Sequence, residues 1–482
     1  MAHYESVDFD PFAELEDDFA LTEPQREICA ATLMGDDANC SYNQCFVLTL
    51  QGELSVESLH TALSQVVRRH EALRICIDLV NESQRVLPEV EVTLALTDLV
   101  TLGARDRETA IAAIVDRETH TPFDLGAAPL WRAEVLREAP DRHRLIFTAH
   151  HVIVDGWSST VIFDDLAKIY AADRVGLPAD LPPAASFRDF VADQQSTDTI
   201  AEMDAALDFW TDQYTSGVPS FELPLDRNRP VYKTYTAGRQ VLAIDKELFR
   251  AFRAGAAKEG ATQFVAMLAA FEVLVARLTS ADDFIIGVPM ASQALQENRH
   301  LVAHGVNTIP LRCRIDEQLT FAEHLRAVRS AFFDAQAHQR LTFGTLVQRL
   351  RLSRDPGRMP LVSLFFNDKF SSTFDFGDTA VTGVEMPRAY YNFELGVTAI
   401  DDGDSVVLEC EFNADLFEDT TVARWLTQYR LLLEQIVADP AAPLADLSLL
   451  SAAERVVLVG DGGVPVVVTR DVTLHGGFAR QV

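Results

Sequence analysis

The chain has 482 residues, 48% of them hydrophobic and 9% aromatic, with 41 basic against 72 acidic side chains and a formal net charge of −31. That length exceeds what one ordinary core organises, so two substantial lobes are expected. So large a negative field repels phosphates, which argues against nucleic acid and anionic membrane surfaces as partners.

The first residues, Met1 to Asp10, carry neither a basic start nor an apolar run, so they do not read as a signal peptide. No stretch approaches the roughly 18 apolar residues that span a bilayer. A soluble, cytoplasmic protein is the expectation. Its six cysteines, Cys29, Cys40, Cys45, Cys76, Cys313 and Cys410, form neither a C-x-x-C pair nor a zinc spacing, and reduced, mostly buried thiols account for them.

Taken in order, residues 1–20 form an acidic leader with Phe9, Phe12, Leu15 and Phe19 among the charges. A globular pattern starts at Leu21. Leu63, Val66 and Val67 lie on a helix ending near His70, residues 91–96 alternate like a strand, and residues 109–118 are helical. A short apolar strand, Leu145 to Ala149, runs into His150 and His151, then a turn ending in Asp155-Gly156. A helical pattern follows through Val161, Ile162, Leu166, Ile169 and Tyr170. The proline-rich stretch Leu177 to Pro183 is the best linker between lobes, dividing residues 21–176 from 184–455. The second half restarts with a helix at 187–195, a strand at 239–244 and a long helix at 263–278. A buried strand at 283–289 and helices near 321–337 and 421–437 follow, with strands around 362–366 and 406–412 between them. This alternation indicates a mixed α/β (α+β) architecture. Residues 456–482 read as a linker.

The histidine turn carries the chemistry. Consecutive strand residues point to opposite faces, so His150 and His151 cannot both aim at one substrate, nor easily share a metal. Asp155 beside a glycine in a tight turn is expected to hold backbone or pair with an arginine rather than titrate. Gly156 fits a turn that needs φ > 0, or the close approach of a substrate chain. Trp157 and Ser158 open the helix, with Ser158 an acceptable N-cap. No G-x-S-x-G elbow occurs, so a serine nucleophile is not indicated.

The run His150-His151-x-x-x-Asp155-Gly156 resembles the core motif of condensation domains of nonribosomal peptide synthetases. Other pieces match that family in order: Leu21 to Ile28; Arg69-His70-Glu71-Ala72-Leu73-Arg74; Pro122 to Leu125; Phe187 to Phe190; Gly305 to Arg312; His338-Gln339 with Phe343; and Arg354-Asp355 with Pro360-Leu361. The resemblance implies two chloramphenicol acetyltransferase-like lobes forming a V-shaped pseudodimer, with the active site in a tunnel between them. It makes His151 the catalytic residue facing the tunnel, with His150 packed behind it. Asp155 and Arg69 become a structural ion pair, Arg74 a second structural arginine, and Trp157 and Asn307 possible tunnel-lining residues. The basic end of the helix carrying Arg69 would equally complement its macrodipole.

The implied reaction is amide formation between an acyl donor thioester and the amine of a carrier-bound aminoacyl group. His151 would act as general base or as a hydrogen-bond donor to the oxyanion. No metal or cofactor is expected on the domain itself, because phosphopantetheine belongs to the partner carrier protein. The tail resembles the start of an adenylation domain, so adenylation and peptidyl carrier domains are the expected downstream partners. With only about 20 residues before the first match, the donor is expected in trans. It is either a fatty acyl-CoA, making this a starter domain that lipidates the first amino acid, or a peptidyl or polyketide chain on an upstream carrier protein. A stand-alone CoA-dependent acyltransferase and a silent docking module are the remaining readings. Heterocyclisation domains replace the histidines by aspartates, and residues 294–300 match the epimerisation signature poorly.

Overall fold

The computed structural model describes residues 18–291, 299–352, 355–370 and 373–459. Two main sheets organise it. The first has five strands: β2 (Asn43–Gln51), β5 (Ala95–Asp98), β6 (Trp131–Ala139), β7 (Arg142–His150) and β12 (Ala380–Glu385), in the order β12-β2-β7-β6-β5. The second has six: β8 (Ala237–Ile244), β9 (Asp283–Ala291), β10 (Val306–Arg314), β11 (Leu364–Phe370), β13 (Leu395–Asp401) and β14 (Val406–Asn413), in the order β10-β9-β11-β13-β14-β8. A small third sheet joins β1 (Phe19–Ala20), β3 (Ile75–Asp78) and β4 (Ser83–Val86).

Helices α3 (Val56–Arg69) and α5 (Gly156–Arg174) pack together over the first sheet. On α3, Leu59, Ala62, Leu63, Val66 and Val67 fall at helical spacing and are all buried, so its apolar stripe is the contact face. The second lobe is built around α9 (Gln263–Thr279), where every residue from Val265 to Ala276 is buried; such a helix is apolar on all sides because all sides are covered. Among the described residues no single helix is long and apolar enough to cross a membrane.

Several expectations need correction. Asp18, Phe19 and Ala20 do not belong to a loose leader. Phe19 and Ala20 pair with Gln84 and Ser83, Asp18 bridges to Arg85 at 2.5 Å, and the Phe19 ring meets Phe187. The remaining leader residues, 1–17, and most of the expected linker, 460–482, lie outside the described residues. The strand expected at 91–96 begins only at Ala95. Val90, Val92 and Leu94 bury their side chains against the first lobe's core without a ladder partner. A simple division at residue 180 also fails. β12 comes from the second half yet pairs antiparallel with β2, and Leu301, Val302 and Ala303 sit inside the first lobe's core.

Candidate active site

The β7 strand ends at His150, whose ladder neighbour is Asn43 on β2. The backbone then turns: His150 N–H donates to Leu130 O at 3.0 Å and His151 N–H to Tyr42 O at 2.8 Å. Val152, Ile153 and Val154 are buried, which anchors the turn to the core. The two histidines part company as the strand geometry requires. His150 is fully buried, its ring between Tyr42 and Phe123, and its Nδ1 accepts from Val152 N–H at 3.2 Å. Burial, with His151 beside it, pushes its pKa down to about 3, so it is a neutral packing group.

His151 is half-buried, and its Nδ1 lies 2.7 Å from Val154 O. A carbonyl only accepts, so Nδ1 carries the hydrogen and Nε2 keeps a lone pair, with no described residue bonded to it. Burial lowers the His151 pKa and the positive charge of Arg388 lowers it further, against the opposing pull of Asp155 and the Val154 carbonyl. His151 is thus a neutral imidazole with a basic nitrogen available.

Asp155, rather than Ser158, is the N-cap of α5. Its Oδ1 accepts from Ser158 N–H and lies 2.8 Å from Ser158 Oγ, while Oδ2 accepts Gly305 N–H from the second lobe at 2.9 Å. Ser158 Oγ also accepts Ala303 N–H at 3.0 Å and lies 2.7 Å from Ala303 O. Asp155 is therefore architectural as expected, but through backbone of the other lobe. The Arg69 pairing is different from the one expected. Arg69 Nε binds Asp165 Oδ2 on α5 at 2.7 Å and its guanidinium reaches Pro182 O; His70 Nε2 meets the same Asp165 oxygen at 2.9 Å. Arg69 sits at the C-terminal end of α3, beside the third turn of α5, and Asp165 is the carboxylate it finds there.

Arg74 is structural: its guanidinium reaches Val67 O, Leu87 O and Pro88 O. Gly156 begins α5 without positive φ, and a Cβ there would meet nothing within 4 Å. Of its two expected roles only the open approach remains. Trp157 is half-buried on the first lobe's core and donates its indole N–H to Arg299 O at 3.1 Å. Asn307 does not line a tunnel with its amide. Nδ2 donates to Gln339 O and Leu341 O, and Oδ1 accepts Phe343 N–H, which consumes its polar atoms in holding the 339–343 turn.

Two nearby residues escaped the sequence reading. His304 packs edge-to-face on His151, ring centroids 4.8 Å apart at 87°. It stands one residue before the Gly305 to Arg312 match, which was its only sequence signal. Arg388 follows β12 in a segment with no motif. It joins a buried charge group with Glu385 at 3.0 Å, Glu411 at 4.0 Å and, through Glu385, Lys369. Burial raises the Glu385 pKa, but Lys369 and Arg388 outweigh it and leave it at about 2. No group of three or more metal-ligating side chains occurs among the described residues. Two concavities lie elsewhere, one lined by Arg229, Lys233 and Glu394, the other by Asp78, Arg85 and Asp124.

A family model described as the condensation domain matches residues 15–459. The chain belongs to the condensation-domain family. Chondramide synthase cmdD of Chondromyces crocatus is 32% identical over 427 residues, 87% of this chain and 11% of that protein. Surfactin synthase subunit 2 of Bacillus subtilis is 30% identical over 460 residues, 94% of this chain and 12% of that protein. This condensation domain thus spans about a tenth of the length of these relatives. Among solved structures, the starter condensation domain of rhizomide synthetase, in complex with C8-CoA and Leu-SNAC, superposes with a TM-score of 0.79 at 18% identity, covering 91% of this chain and 99% of that one. The first condensation domain of the calcium-dependent antibiotic synthetase, bound to a substrate analogue, gives 0.76 at 21% identity over 90% and 100%. At those identities the likeness shows the fold: mixed α/β, two-lobed and chloramphenicol acetyltransferase-like. Condensation domains are amide-bond-forming acyltransferases that work with carrier and adenylation domains in multidomain synthetases.

Proposed function

We propose that this domain joins an acyl donor thioester to the amine of a carrier-bound aminoacyl group, with His151 as general base. The observation that carries the assignment is the hydrogen bond from His151 Nδ1 to Val154 O, because it leaves Nε2 as the acceptor. The amine lone pair attacks the thioester carbonyl, the C–N bond forms, and Nε2 takes the amine proton. The C–S bond then breaks, and the departing thiolate takes the proton from His151. An α-ammonium group titrates at about 7.7–8.0, so at neutral pH a usable fraction of the amine is already uncharged. The turn that aims His151 is supported by His150 and Asp155, while Arg69 braces α5 through Asp165 and Arg74 holds the backbone at Val67, Leu87 and Pro88; positioning of the two substrates supplies effective molarity. Phosphopantetheine enters as part of the substrates.

The finer assignment is a starter domain that N-acylates the first amino acid with a fatty acyl-CoA. The rhizomide starter domain, whose structure holds C8-CoA, supports this reading by its similarity of fold. The alternative donor is a peptidyl or polyketide chain on an upstream carrier. Intact-mass spectrometry of an aminoacylated acceptor carrier, incubated with the domain, separates them. A mass gain equal to the acyl group from acyl-CoA supports the starter assignment. Gain only from acyl-carrier protein replaces it with elongation in trans, and no gain from either donor class overturns the amide-forming assignment.

A further inference from the structure

His304 is 7% exposed, and neither of its ring nitrogens hydrogen-bonds to a described residue; Nδ1 is buried without a partner. Nε2 is not enclosed in the same way, so it is the ring nitrogen that a ligand atom can reach. The placement of His304 is built rather than incidental. The residues on either side, Ala303 and Gly305, are both held by the histidine turn: Ser158 Oγ accepts Ala303 N–H, and Asp155 Oδ2 accepts Gly305 N–H. The carboxylate that caps α5 therefore also presents an imidazole of the second lobe edge-to-face to His151. Around it stand His151 and His150, with the Asp155 carboxylate on Gly305 and Arg388 acting on His151.

We propose that His304 is a second catalytic imidazole, accepting a hydrogen bond from the acceptor amine while His151 accepts that amine's other N–H. With ring centroids 4.8 Å apart and edge-to-face, the two imidazoles border the same small volume, which is where the proposal puts the amine. A neutral imidazole has one acceptor nitrogen, and burial together with the neighbouring histidines keeps His304 neutral. The two N–H groups of a primary amine are then both fixed, and its lone pair is directed away from both rings toward the donor carbonyl. This rests on the condensation reading above. It adds a selectivity that reading does not contain: a secondary amine has a single N–H and leaves one imidazole unsatisfied.

The test is calorimetric binding at pH 9, where an α-amine is neutral. The probes are a hydrolysis-resistant glycyl-pantetheine amide and its sarcosyl analogue. Wild type is expected to bind the glycyl probe about tenfold tighter than the sarcosyl one. His304→Phe keeps the ring but not the acceptor, and is expected to lose that preference by weakening glycyl binding alone. His304→Leu serves if Phe lowers the melting temperature, and His304→Gln, whose amide oxygen accepts, is expected to retain the preference. An unchanged preference in folded Phe or Leu variants would overturn the role of His304 alone. Failure of the wild type to bind either probe would overturn the condensation reading, and this proposal with it.

Discussion

Asp165 explains why the arginine at the end of α3 is there. It is 2% exposed, and although burial alone would raise its pKa, the hydrogen bonds and charges of His70 and Arg69 bring it below the usual value. A lowered folded pKa contributes stability that is present above about 3.8 and lost as pH falls through the folded value. Removing Arg69 as Arg69→Met strands a buried carboxylate on a single histidine and is expected to cost about 3 kcal/mol or more in urea unfolding. A double-mutant cycle checks the pairing itself. Arg69 and Asp165 should couple by about 1–3 kcal/mol, and Arg69 and Asp155 by no more than about 0.5 kcal/mol. Asp155→Asn places an amide N–H₂ against either Ser158 N–H or Gly305 N–H, and a loss of about 1–3 kcal/mol is expected, read in the same unfolding assay. Strand alternation parted the two histidines and turn chemistry marked Asp155 as architectural, while the choice of His151 came from the family resemblance. The sequence did not display the bonds of Asp155 to the Ser158 and Gly305 N–H groups, because a backbone N–H has no sequence signature. Asp165 was hidden for another reason: an acidic residue in a helical pattern reads as solvated.

At the scale of elements, the α1 helix (Glu23–Thr32) meets the second lobe through Glu27. Its Oε1 accepts Gly344 N–H at 2.6 Å, at the start of the helix Phe343–Leu350. Burial outweighs that hydrogen bond and raises the Glu27 pKa to about 7. The sign follows from linkage: the folded state holds a proton that the unfolded state releases near 4.5. Its contribution to stability is therefore complete below about 4.5 and disappears as pH rises to about 7. Thermal melts of wild type should lose stability between pH 5 and 7.5 relative to Glu27→Gln, which stays neutral and still accepts from Gly344. Parallel curves would remove Glu27 as the cause. Helices with a full apolar stripe were legible, the expected 321–337 helix coinciding with Phe321–Ala337. The alternating run at 91–96 misled because alternation reports burial of one face, whether or not a strand lies alongside.

For the whole molecule, the two lobes are interlocked. β12 leaves the second half to cover the edge of β2, Met386 N–H continues that contact to Cys45 O at 2.8 Å, and residues 301–303 fill the first lobe's core. None of this was readable in the sequence, since Ala380 pairs with Gln51 across most of the chain and short non-local strands carry no local mark. A fragment of residues 18–180 would expose the β2 edge and an open core. It is expected to aggregate or to lack a near-ultraviolet circular dichroism signal, which the second half should restore when co-expressed. A monomeric fragment with native near-ultraviolet signal would refute the interlock. The interlock also sets the chemistry, because loop 303–305 reaches the histidine turn only when both lobes are assembled. At the centre of the proposed reaction is proton transfer at His151 Nε2. Its direct test is the single-turnover rate of acyl transfer to an aminoacylated carrier, followed by intact mass, in wild type and His151→Ala. A fall of about a hundredfold or more is expected in the variant, with its fold and carrier binding unchanged. A variant that transfers the acyl group at the wild-type rate would contradict it.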